Sequence, residues 1–75
     1  MLFPAIAPVI DRIYAGYTIT ETETGTAYLV TGQMRMRGKT FYYVKNKATD
    51  ETGTFNRGTL MNLQRNGEVK VTLEA

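Results

Sequence analysis

From Tyr17 onward the chain runs in short segments of period-two alternation, broken by turn chemistry. That pattern constrains the fold most, because it suits half-buried strands and scatters its apolar residues around a helix. YTITETE sets Thr18, Thr20 and Thr22 on one side and Tyr17, Ile19 and Glu21 on the other. Thr24-Gly25 marks a turn, and AYLVT follows as a second strand. Thr31-Gly32 reads as another turn, leading into QMRMR. Gly38-Lys39 fits a two-residue hairpin loop with Gly first, the type II′ preference, and TFYYVKN is the strand that returns. ATDETG is turn chemistry throughout, closed by Gly53.

The C-terminal third changes period. Asn56 is a good N-cap before Leu60 and Leu63, and Phe55 and Leu60 occupy the positions of a hydrophobic staple. Arg65 lies in the last turn and Gly67 stands where a left-handed residue ends a helix. EVKVTL then alternates again, with Val69, Val71 and Leu73 on one face. Gly58 inside the helix costs up to about 1 kcal/mol relative to Ala, so the helix depends on packing. Nearer the N-terminus, VIDRIYA between Pro8 and Gly16 fits either a short helix or an extension of the first strand. The expectation is an α+β fold. Its sheet is small and antiparallel, or a partly open barrel, of about five strands with one short helix before the last.

A 75-residue chain makes one domain, residues 1–75, with a limited core. It contains no Cys and no His, so neither a disulfide nor a Cys/His zinc site can staple it, and self-association into a homo-oligomer is expected. Absence of Cys fits a reducing compartment, and the cytoplasm is expected, although a chain with none is compatible with any compartment. The apolar arm of residues 1–10, MLFPAIAPVI, is about half a membrane span and is interrupted by Pro4 and Pro8. It reads as a packing or docking segment in which Leu2, Phe3, Ile6 and Val9 are the candidate contacts, and no membrane role is expected.

The net charge of +2 is unevenly spread. Residues 32–47, GQMRMRGKTFYYVKNK, hold Arg35, Arg37, Lys39, Lys45 and Lys47 beside Phe41, Tyr42 and Tyr43, with no acid among them. With Gly38-Lys39 as the loop, Met36 pairs with Phe41, Arg35 with Tyr42 and Met34 with Tyr43. Met34, Met36, Phe41 and Tyr43 then form an apolar side for the helix to cover, and Arg35, Arg37, Tyr42 and Val44 form the other. A second loop at Thr31-Gly32 adds Tyr28 to an outer row Tyr28–Arg35–Tyr42. Aromatic and basic groups on a sheet stack bases and neutralise phosphates. The same residues also make an ordinary solvated face, and the small charge favours that plainer reading. If the sheet closes into a barrel, Tyr28 and Tyr42 become core.

Ser, His, Cys and Trp are all missing, which removes the usual nucleophile systems and the commonest base near neutral pH. No glycine-rich phosphate loop is present. Asp50-Glu51 is the one adjacent acid pair, and without further oxygen ligands at calcium-loop spacing it reads as a solvated turn. No catalytic residue, metal or cofactor is expected, and activity through Tyr and Lys ranks last.

The first functional expectation is a non-enzymatic accessory protein that binds RNA or single-stranded DNA. Its candidate residues are Arg35, Arg37, Lys39, Tyr42, Tyr28, Lys45 and Lys47. The alternatives are an inhibitor or adaptor docked on a larger host protein, of phage or mobile-element type, and an oligomeric binder of a small anion such as a nucleotide.

Overall fold

The computed structural model describes residues 9–73. Five strands form one open antiparallel sheet: β1 (Tyr17–Glu21), β2 (Ala27–Met36), β3 (Lys39–Asn46), β4 (Thr52–Asn56) and β5 (Val69–Leu73), in the order β4-β3-β2-β1-β5. Among the described residues a single helix, α1 (Arg57–Arg65), joins β4 to β5 and so connects opposite edges of the sheet. Nine residues of helix reach about 14 Å. Four strand spacings are about 19 Å, so the helix and its short exit loop cross the sheet diagonally.

Both ends of α1 are built as its residues require. The Asn56 side chain accepts from the N–H of Gly58 at 2.8 Å and of Thr59 at 3.4 Å. A methyl group at Gly58 would stand 3.3 Å from that capping oxygen, which explains the glycine in the first turn. At the other end Glu68 N–H donates to Leu63 and Gly67 N–H to Gln64, with Gly67 at φ 74°. These are the two bonds of a Schellman motif. Thr22 then fastens the exit loop to β1, its hydroxyl lying 2.8 Å from Gly67 O and 3.1 Å from Glu68 O.

The strand count matches expectation, but through two changes that offset each other. Thr31-Gly32 is not a turn. AYLVT and QMRM belong to one ten-residue strand, in which the register shifts between Val30 and Gly32 as a bulge at Thr31. In exchange TGTFN, within and just after the expected turn, is strand β4. The hairpin loop is Arg37-Gly38 rather than Gly38-Lys39. Both residues have positive φ (52° and 77°), the type I′ geometry that matches the strand twist. Residues 9–14 form neither a helix nor a strand, and the segment ends in a turn at Ala15-Gly16.

Moving the loop by one residue moves each cross-strand partner by two, so the expected two sets of side chains survive. Met34 faces Phe41, and Gln33 faces Tyr42. The side that α1 covers is reversed. Leu60 packs with Ile13, Ile19, Val30, Tyr42, Val44, Val69 and Val71, all buried, while Met36 and Tyr43 are exposed. The methionine side is the one turned away from the helix.

Two polar groups inside the structure contrast. Gln64 on α1 is fully buried with both amide atoms bonded: Oε1 accepts from Ile10 N–H at 2.8 Å, and Nε2 donates to Ile10 C=O at 3.0 Å. Its amide acts as a strand partner that holds residues 9–13 against the core. Thr18, on the opposite face of β1 beside Leu29 and Thr72, is buried with its hydroxyl unpartnered. An unpaired buried hydroxyl costs about 1–3 kcal/mol. Thr18→Val keeps the branched shape and is expected to stabilise the fold by about that amount, read as a higher urea midpoint at unchanged slope.

Candidate functional site

The face turned away from α1 is set by alternation along β3, where Lys39, Phe41, Tyr43 and Lys45 all point the same way. Spacing between successive members is about 6.7 Å. Around them on the same face, β2 adds Met36 opposite Lys39 and Met34 opposite Phe41. β4 adds Thr54 opposite Tyr43 and Thr52 opposite Lys45. No Asp or Glu occupies a strand position on this strip.

Tyr43 has a seat of its own. Its ring edge lies 3.8 Å from where a Gly32 side chain would begin, and its hydroxyl donates to the Met34 sulfur at 3.1 Å. The ring therefore leans across the bulged strand over the one position without a side chain. It stays 42% exposed there, and Met36 beside the hairpin tip is 50% exposed. A large side chain held by neighbours while open to solvent is pre-ordered for contact and loses little freedom on binding.

The candidate residues read from sequence separate into three places. Lys39 and Lys45 lie on the aromatic strip; Lys45 also sits 3.6 Å from Asp50, an exposed pair that contributes little to stability. Arg37 is at the exposed hairpin tip, and Lys47 is exposed in the turn after β3, its N–H bonded to Ala27 O at 2.9 Å. Arg35 pairs with Thr40 on the other face, in a cleft of about 630 Å³ shared with Arg12 and with Arg57, which is ion-paired to Asp11.

The two tyrosines of the expected outer row are not there. Tyr42 is 2% exposed beneath α1, and Tyr28 lies opposite Asn46 rather than Arg35. Burial of the Tyr42 ring removes it from any stacking surface. Tyr28 packs edge-on against Phe55 at 5.5 Å and donates its hydroxyl to Glu21 at 3.0 Å. Of the N-terminal candidates, Val9 is half-buried, whereas Leu2, Phe3 and Ile6 lie outside the described residues.

The Tyr28 hydroxyl is held above its usual value of 10.0, first by the bond to Glu21, then by burial and by the charges of Glu21 and Glu51. The folded chain thus keeps a proton that the unfolded chain releases. That contribution is complete below the ordinary tyrosine value and is lost as pH rises through the higher folded value. Stability is expected to fall above about pH 10, and Tyr28→Phe to flatten that fall in alkaline urea titrations.

Tyr43 and Met36, exposed, and Phe41 and Met34, half-buried, lie on the face that the sequence reading gives to the helix, though a signal for the reverse existed. Lys39 and Lys45 share their phase on β3, and a face with a lysine at each end is a poor one to bury under a short helix. Among the described residues, no helix is long and apolar enough to cross a membrane. No family model, no curated protein and no solved structure matches this chain.

Proposed function

We propose that this protein is a small binding protein for single-stranded RNA or DNA, which it holds on the β2–β3 strip. One observation carries the reading: along a single strand face, lysine, phenylalanine, tyrosine and lysine follow one another with no acid in the row. Phe41 and Tyr43 offer ring surface to bases, and stacking tolerates any sequence because every base has a π-face. Lys39 and Lys45 stand at either end to meet phosphates, and Arg37 at the hairpin tip extends the basic edge. Met34 and Met36 supply adaptable apolar contact beside the rings. The hydrogen-bond donors near the strip are mobile lysines rather than a fixed pattern, so weak base preference is expected.

Fluorescence anisotropy with a short labelled single strand tests this. If Lys39, Lys45 and Arg37 each neutralise one phosphate, log K should fall with log salt at a slope of roughly −2. Absence of binding at low salt, or binding indifferent to salt, overturns the reading.

A further inference from the structure

We propose that two copies of this chain pair antiparallel through β5, on a twofold axis at Val71, to make one continuous sheet. The inference does not rest on the nucleic-acid reading. β5 is an edge strand, and its register with β1 runs unbroken from Val69 to Leu73. Thr22 N–H donates to Glu68 O at 3.0 Å, which makes Glu68–Thr22 a hydrogen-bonded pair. Bonded pairs recur at every second residue, so Lys70–Thr20 and Thr72–Thr18 follow. The N–H and C=O groups of Val69, Val71 and Leu73 therefore point out of the sheet. Among the described residues β5 has no proline, no bulge and no charge pointing to the helix side; its guards are its shortness and Lys70 on the other face.

The strand complements itself in one register. With Val71 opposite Val71 of the second copy, Val69 meets Leu73 and Leu73 meets Val69, so every outward group finds another outward group. On the face turned away from α1, Lys70 then lies opposite Thr72 of the second copy. A slip of two residues one way sets Lys70 against Lys70, a repulsive pair. A slip of two the other way gives up a Val69–Leu73 contact. On the helix side, Leu73 is 67% exposed in the single chain, and the pairing lays it beside Val69 of the second copy. The other edge, β4, is poorer. Asn46 N–H donates to Glu51 O at 2.8 Å, so the outward positions are Thr52 and Thr54, flanking Gly53 and running directly into α1.

In such a dimer both helices lie on one side and both aromatic strips on the other, with β5 of each copy at the seam. Light scattering during size exclusion is expected to give twice the chain mass at high concentration. Leu73→Pro removes an outward N–H that bonds to none of the other described residues. It should give the single-chain mass with an unchanged far-ultraviolet circular dichroism spectrum. Because the chain has no native cysteine, cross-linking fixes the register. The double variant Lys70→Cys/Thr72→Cys places each sulfur opposite its partner and should oxidise to a covalent dimer. Lys70→Cys alone should not, since those residues are roughly 7–8 Å apart on the diagonal, beyond disulfide reach. A single-chain mass at every concentration overturns the proposal. So does a dimer that persists in Leu73→Pro while the double-cysteine variant stays uncoupled. Coupling by Lys70→Cys alone overturns the register.

Discussion

Leu60→Ala is expected to remove a large share of the fold's stability. Leu60 is wholly buried on α1, in one cluster with Ile13, Ile19, Val30, Tyr42, Val44, Val69 and Val71, and Phe55 packs against that cluster. Removing a buried leucine side chain costs about 2–5 kcal/mol. A domain of this size has about 4–11 kcal/mol of stability in total. Among the described residues no second helix can settle into the vacated space, which favours the upper part of the range. Urea denaturation followed by circular dichroism gives the measurement. A loss below about 1 kcal/mol would mean that the helix does not rest on the sheet as described.

The second large effect concerns two adjacent tyrosines with opposite roles. Tyr43→Ala and Phe41→Ala are each expected to weaken single-strand binding by about tenfold to a hundredfold, the loss of one stacking contact of 1–3 kcal/mol. Because Tyr43 is 42% exposed, its variant should lose much less stability than a truncation in the core. Tyr43→Phe retains the ring and should retain the affinity. Tyr42→Ala, one residue earlier, should instead destabilise the fold by about 3–5 kcal/mol, because its ring lies under α1. If Tyr43→Ala binds as well as the wild type, the strip is not the contact surface.

The legible parts of the fold are those whose signals are local. Asn56, Phe55, Leu60 and Gly67 define α1 because caps and staples are fixed by spacing within a few residues. The reversal of the sheet faces arose from information that is not local. A bulge at Thr31 changes which residues of β2 face inward: Tyr28 and Val30 before it, Gln33 and Arg35 after it. In the sequence the same Thr-Gly looks like a turn. β4 was hidden for a related reason, since TGTFN has weak strand chemistry and is ordered by pairing with β3. For the candidate site, residue type picks out the basic and aromatic stretch of β2 and β3 but not which of its side chains share a face. Only the pairing register separates Tyr43, on one face, from Tyr42, in the core, and Tyr28, half-buried beside it.

The route of α1 from one sheet edge to the other has a kinetic consequence. β1 is the first strand in the chain, yet it is enclosed only when β5 arrives, and Tyr17 then lies beside Leu73. The β2–β3 and β3–β4 hairpins close short loops and can form early. β1, β5 and the Gln64–Ile10 clasp each join parts of the chain more than forty residues apart. Contacts so distant in sequence carry a large loop-closure cost before they return any stabilisation. A growing or refolding chain therefore holds β1 as a bare strand edge until its final strand docks, and that interval is when it is most open to pairing with the wrong partner.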